Sequence, residues 1–260
     1  MYVELIGATG AGKTTLAKQL VHAGQSLGCD VWMSDDFILS RFNLNFVRSE
    51  FMRRRLVAML GFLAVPFAGW RHHKFLWFAV REGLSCPGAM LYRASVARIV
   101  IKKIGLRAIV CGMARNGQIV LADNEGVVQA AHTLYVHGRG FSQSQRLQEF
   151  ARLVPLPEVL VCLRQSDNVL VERTLARGHR RLEQSAPDRT AAFIQEAQQV
   201  FDSLQKHQSI AERSISVDAA NRTMSVPHNL SFASAPPCQQ LLDLVSSEIE
   251  SSPVDDVPPP

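Results

Sequence analysis

Five cysteines are all this 260-residue sequence has, and Cys29, Cys86, Cys111, Cys162 and Cys238 are scattered, odd in number and never spaced Cys-x-x-Cys. That usage argues against both a disulfide framework and a zinc ribbon. Long apolar runs are missing too. The longest, Leu56 to Trp70, is interrupted by Gly61, Pro66 and Gly69 and falls short of the ~20 residues a spanning helix requires. The opening residues lack the basic start, apolar stretch and small-residue cleavage site of a secretory signal, so a cytoplasmic setting is expected. Acidic residues are in slight deficit, 23 against 28 Lys and Arg, for a net charge of +5. Such a charge suits anionic ligands without choosing among them. A nucleic-acid groove would need a continuous basic and aromatic surface. The basic residues here are dispersed among apolar segments, so no nucleic-acid partner is expected.

What the sequence does contain is enough apolar residue, 47%, to bury one generous core. Residues 1–251 read as a single α/β domain and residues 252–260, rich in proline, as a tail. Tyr2 to Ile6 is a short β-rich run, and Thr14 to Ala23 has helical spacing of Leu16, Leu20 and Val21. Between them Gly7-Ala8-Thr9-Gly10-Ala11-Gly12-Lys13-Thr14 satisfies G-x-x-x-x-G-K-[ST] in full, in the strand-loop-helix setting the motif requires. Glycines let the backbone curl so that N–H groups face a phosphate, and the following helix adds its positive end. Lys13 is the expected partner of the β- and γ-phosphates, Thr14 the expected Mg²⁺ ligand, and Thr15 a contact for the α-phosphate of ATP.

Further strands are expected at Val31 to Met33, within 117–123, at Val159 to Leu163 and at Ser214 to Val217. Together they predict a P-loop α/β fold: a parallel sheet of about five strands, helices on both faces and a helical insertion near 44–108. Pro66 and Pro87 predict several helices within that insertion. Helices are also expected at 167–177, 190–207 and 239–249. Three acids close strands: Asp35 and Asp36 after the second, Asp123 after the third, with Glu125 two residues on. Asp35 or Asp36 would position and deprotonate an acceptor, unless one of them merely caps a helix. Asp123 or Glu125 would hold magnesium through water. Arg173, Arg177, Arg180 and Arg181 straddle a helix end and a loop at 178–189, which reads as a lid over ATP.

The chain resembles the thymidylate kinase-like branch of the P-loop nucleoside and nucleotide kinases. The resemblance runs through the phosphate loop, residues 117–123, 157–163 with Glu172-Arg173 and Arg177-Gly178, the lid-like Arg181-Leu182-Glu183, and Ser216-Val217-Asp218-Ala219, similar to a segment that passes the adenine. It implies an ATP- and Mg²⁺-dependent kinase with Arg173 and Ala219 on the nucleotide and Arg177 and Arg181 on the transferring phosphate. Two departures bear on the acceptor. Asp123-Asn124 stands where the family has Asp-Arg, whose arginine grips an acceptor phosphate, and Ser34-Asp35-Asp36 replaces Glu-Pro, closer to the acidic turn of shikimate- and gluconate-type kinases. An alcohol acceptor such as a nucleoside, sugar or lipid-linked alcohol is therefore expected, with a nucleoside monophosphate as the alternative. A regulatory P-loop ATPase is the rival of another class; a GTPase would show Asn-Lys-x-Asp, which is absent. Basic clusters alternate with Trp and Phe over 53–78, which reads either as covered insertion helices or as a peripheral membrane contact. A homodimer is compatible with all of this.

Overall fold

The computed structural model describes residues 1–137, 144–177, 187–218, 223–226, 243, 245 and 246. Its centre is a six-stranded sheet of β1 (Tyr2–Ile6), β2 (Val31–Met33), β3 (Ile119–Ala122), β4 (Val159–Arg164), β5 (Ser214–Asp218) and β6 (Thr223–Ser225), ordered β2-β3-β1-β4-β5-β6. The first five strands are parallel; β6, three residues that sequence reading did not find, adds antiparallel to β5 at the edge. β1 lies between β3 and β4, with Glu4 opposite Ala122 and Ile6 opposite Cys162. All five of its residues are buried, as expected of a central parallel strand covered on both faces.

Alternation along the strands divides the core into two layers. Val3, Leu5, Ile119 and Leu121 face the layer of α1 (Lys13–Ser26), α5 (Ala130–Tyr135), α6 (Ser144–Leu153), α7 (Asp167–Arg177) and α8 (Pro187–Gln205). Tyr2, Val120 and Ala122 face Phe37, Ile38 and Leu39 of α2 (Ser34–Arg41), together with residues of α3 (Glu50–Ser85) and α4 (Met90–Met113). A single turn, α9 (Gln208–Ala211), precedes β5.

The expected helical insertion is a long hairpin of α3 and α4 in which α3 is itself two helical stretches joined across a kink at His72, so several helices are present but the break is not at Pro66. Pro66 sits inside the 36-residue α3 without ending it, and the only non-helical backbone in that helix is at His72 (φ −122°, ψ 29°). Proline removes one helical hydrogen bond, but α3 is held along its length by Val57, Gly61, Ala68, Phe75, Phe78 and Ala79, which are buried. Pro87 lies in the turn between the two helices. They approach closely at Gly61 and Gly105, where a β-carbon on Gly105 would stand 1.8 Å from the Gly61 carbonyl oxygen. The helix expected at 239–249 and the tail lie almost wholly outside the described residues.

Candidate active site

The strand order brings the carboxyl ends of β1, β2 and β3 side by side, the crevice in which open α/β sheets bind ligands. The loop after β1 is the phosphate loop. Gly7, with φ 148°, passes so close to β4 that a β-carbon would lie 2.6 Å from the Leu163 carbonyl oxygen. Gly12 takes the left-handed conformation (φ 90°) at the cap of α1, a position L side chains rarely accept. Lys13 is buried and turned back on its own loop, Nζ donating to the Gly7 and Ala8 carbonyls at 2.9 Å each. From the other side buried Gln129 accepts from the Gly7 N–H and donates to the Gly7 carbonyl, both at 3.2 Å. Thr9 approaches His132 Nε2 at 3.4 Å, and the Thr174 hydroxyl donates to the Thr9 carbonyl.

Thr14 Oγ1 donates to Asp123 Oδ2 at 2.7 Å, joining the end of the phosphate loop to the end of β3. The Asn124 amide bridges the same pair, 3.0 Å from Asp123 Oδ2 and 3.3 Å from Thr14 Oγ1. Hard oxygens so placed fit magnesium, which takes one or two protein oxygens and otherwise phosphates and water. Among the described residues there is no group of three His, Cys, Asp or Glu that would hold a metal unaided. Glu125 pairs with Lys102 at 2.7 Å and keeps its second oxygen buried without a hydrogen-bond partner. The loop, Thr14, Lys102, Asn124 and Glu125 surround a cleft of about 410 Å³.

Asp35 and Asp36 open the first turn of α2, whose cap is Met33, so the acids begin a helix directly rather than a turn. Their surroundings differ. Asp36 is exposed and ion-paired with Arg53. Asp35 Oδ1 is buried with no partner, and burial, then Glu125, raise its carboxyl to about 6, with Lys102 pulling the other way and Asp123 and Asp36 adding to the rise.

Several groups here escaped the sequence reading. Lys103, buried on α4, donates to the carbonyls of Asn124 and, at 3.1 Å, Gly126, and burial lowers its pKa. Glu4, buried in mid-strand, accepts from the Val128 N–H at 2.8 Å, and a β-carbon on Gly126 would stand 2.6 Å from its carboxylate. Glu4 and Lys103 thus fix the β3 loop that carries Asn124 and Glu125 from opposite ends. The available signals were a charge inside a five-residue buried strand and a lysine pair within an apolar helix.

Of the expected lid, Arg173 sits half-buried on α7 with its Cβ 3.4 Å from where a side chain on Gly10 would begin. The side chain of Arg177, and Arg180, Arg181 and Ala219, lie outside the described residues. Ala8, Ala11 and Gly10 are buried in the loop, and Thr15 is exposed. A larger cleft of about 970 Å³ between α3, α6 and α8 contains none of the residues singled out from sequence.

The loop, the parallel strand order and the acid after β3 define a P-loop α/β protein. No family model matches the chain, and no curated protein matches it. Among solved structures it is similar to deoxyadenosine kinase from M. mycoides with bound dATP, at 11% identity and TM-score 0.43 over 96% of this chain and 100% of that one. It is also similar to shikimate kinase from Acinetobacter baumannii in complex with shikimate, at 15% identity and TM-score 0.39 over 95% and 93% of the two chains.

Proposed function

We propose that the protein transfers the γ-phosphate of ATP to a hydroxyl of a small molecule in the cytoplasm. The observation that carries this reading is the Thr14–Asp123 contact at the mouth of a complete phosphate loop, with Asp35, whose Oδ1 is buried without a hydrogen-bond partner, electrostatically coupled to Asp123. Lys13, now on the loop's own carbonyls, would turn to the β- and γ-phosphates. Gly7, Ala8, Thr9, Gly10, Ala11 and Gly12 would present backbone to them, and Thr15 and Arg173 would flank the nucleotide. Thr14 and Asp123 would hold magnesium, which when bound neutralises phosphate charge. Asp35, ionised at neutral pH yet basic enough to take a proton, would accept it from the acceptor hydroxyl as the bond to phosphorus forms. Asp36, engaged by Arg53, would shape the pocket wall. Arg177 and Arg181 would close over the transferring phosphate, and Ala219 would pass the adenine.

An alcohol is favoured over a nucleoside monophosphate because Asn124 offers no guanidinium. The two lysines beside the cleft are also engaged, Lys102 by Glu125 and Lys103 by backbone carbonyls. The test is transfer from γ-labelled ATP to a panel of nucleosides, nucleoside monophosphates, sugars and lipid-linked alcohols, with free phosphate followed in parallel. Labelled product from one alcohol class, lost in Lys13→Ala, supports the reading. Product only from monophosphates would move the assignment to the other kinase type, and phosphate release indifferent to every acceptor would make the protein an ATPase.

A further inference from the structure

The outer face of α3 is apolar and open to solvent. Met59, Leu63, Phe67 and Trp70 follow one another at spacings of four, four and three, which place them on one helix face, and Trp77 follows beyond the kink at His72. Trp70 is 90% exposed, Phe67 84% and Trp77 73%. Natural surfaces rarely leave such a run uncovered. It is flanked by Arg54, Arg55, Arg71 and Lys74, and the Arg55 guanidinium lies 5.0 Å from the Phe51 ring centre.

Charge bears on what such a face would suit. Residues 50–113 hold eleven Lys and Arg against two Glu, so the hairpin carries +9 in a chain whose net charge is +5. Neither acid opposes that field from the ridge: Glu50 pairs with Arg54, and Glu82 is buried against Arg81 and Arg146. Arg53, Arg81 and Lys102 pair with Asp36, Glu149 and Glu125 and Lys103 is buried, so the exposed cations beside the ridge are Arg55, Arg71 and Lys74, and a symmetric pair of copies joined through this face would set them against one another. Among the described residues no helix is long and apolar enough to cross a membrane, so α3 could only lie on one. Basic side chains interleaved with Trp and Phe suit the boundary of headgroups and acyl chains, where the rings enter and the cations stay in water.

We propose that α3 docks the protein on the surface of an anionic lipid bilayer through the ridge from Met59 to Trp77. This rests on the exposed face and its charge and stands independently of the phosphoryl-transfer reading.

The full chain would be sedimented with vesicles of phosphatidylcholine alone, and with about 30% phosphatidylglycerol, at low salt and at roughly 0.5 M salt. Capture by the anionic vesicles, weakened by salt and accompanied by a blue shift of tryptophan emission, is expected. Phe67→Ser with Trp70→Ser should lower partitioning at least about tenfold, and so should Arg71→Glu with Lys74→Glu. Nucleotide-induced stabilisation, unchanged in these variants, would certify their fold. The proposal is overturned if neither vesicle captures the protein, if neutral vesicles capture it equally, or if the variants bind as the parent does. It is equally overturned if the ridge instead mediates a dimer, seen by sedimentation velocity, that the substitutions dissolve without any vesicle binding.

Discussion

Asp35 and Asp36 are neighbours in the chain with opposite surroundings, and the difference makes Asp35 testable by pH. Its carboxyl holds a proton up to about pH 6 in the folded protein, against the ordinary 3.8. Between those values the folded state binds more protons than the unfolded one. The stability associated with Asp35 is therefore full below pH 3.8 and lost as pH rises through 6. Asp35→Asn removes the buried charge and should raise stability by roughly 1–3 kcal/mol at pH 8 and by little at pH 4, as denaturant titrations at both values would show. The same substitution should lower phosphoryl transfer by about 10²–10⁴-fold, and the parent's kcat/KM should fall on the acid side with a midpoint near 6. A variant both less stable and fully active would remove Asp35 from the site. Sequence named both acids but could not separate them, because what distinguishes them is Arg53 and Glu125, which lie 17 and 90 residues away.

At the scale of elements, the strands of the parallel sheet were legible because each is a short β-rich run, with a glycine following β1, an acid following β3 and an acid ending β5. The edge strand β6 was not, since Thr223–Ser225 has no run of its own and exists through pairing with β5. Pro66 misled for a related reason. Local propensity ends a helix there, while the long contact with α4 continues it. That contact is close at the glycine pair Gly61 and Gly105. Alanine is favoured over glycine within a helix by about 1 kcal/mol, yet at position 105 its methyl would meet the Gly61 carbonyl, which is backbone and cannot rotate aside. Overpacking should win, and Gly105→Ala should lose about 1–3 kcal/mol in urea unfolding. Gly61→Ala meets instead the Leu106 and Lys102 side chains at 3.0 and 3.1 Å, which can shift, so its change should stay within about 1 kcal/mol of zero. Equal effects at the two positions would mean that the helices are not in van der Waals contact there.

For the whole molecule the question is whether the α3–α4 hairpin is an appendage or part of the fold. Its cations Arg53, Arg81 and Lys102 pair with Asp36, Glu149 and Glu125 of the rest of the chain, and its apolar side packs there too. Val57, Leu106, Ile109 and Val110 complete the layer with Tyr2, Val120 and Ala122 of the sheet, while Ala68, Phe75, Phe78, Val96, Val100 and Ile104 join the other layer. Lys103 of the same hairpin holds the β3 loop by two carbonyls. Removing residues 50–113 would uncover sheet on one face and leave the buried Glu4 carboxylate with less of the positive charge that offsets its burial. The chain is therefore expected to unfold in one calorimetric transition, with equal calorimetric and van't Hoff enthalpies. Nucleotide at about 100 times its dissociation constant should stabilise that single transition by about 2.7 kcal/mol. A shortened chain with a short linker in place of 50–113 should show no cooperative transition at all. Two resolved transitions in the full chain, only one of them moved by nucleotide, would instead make the hairpin a separate unit.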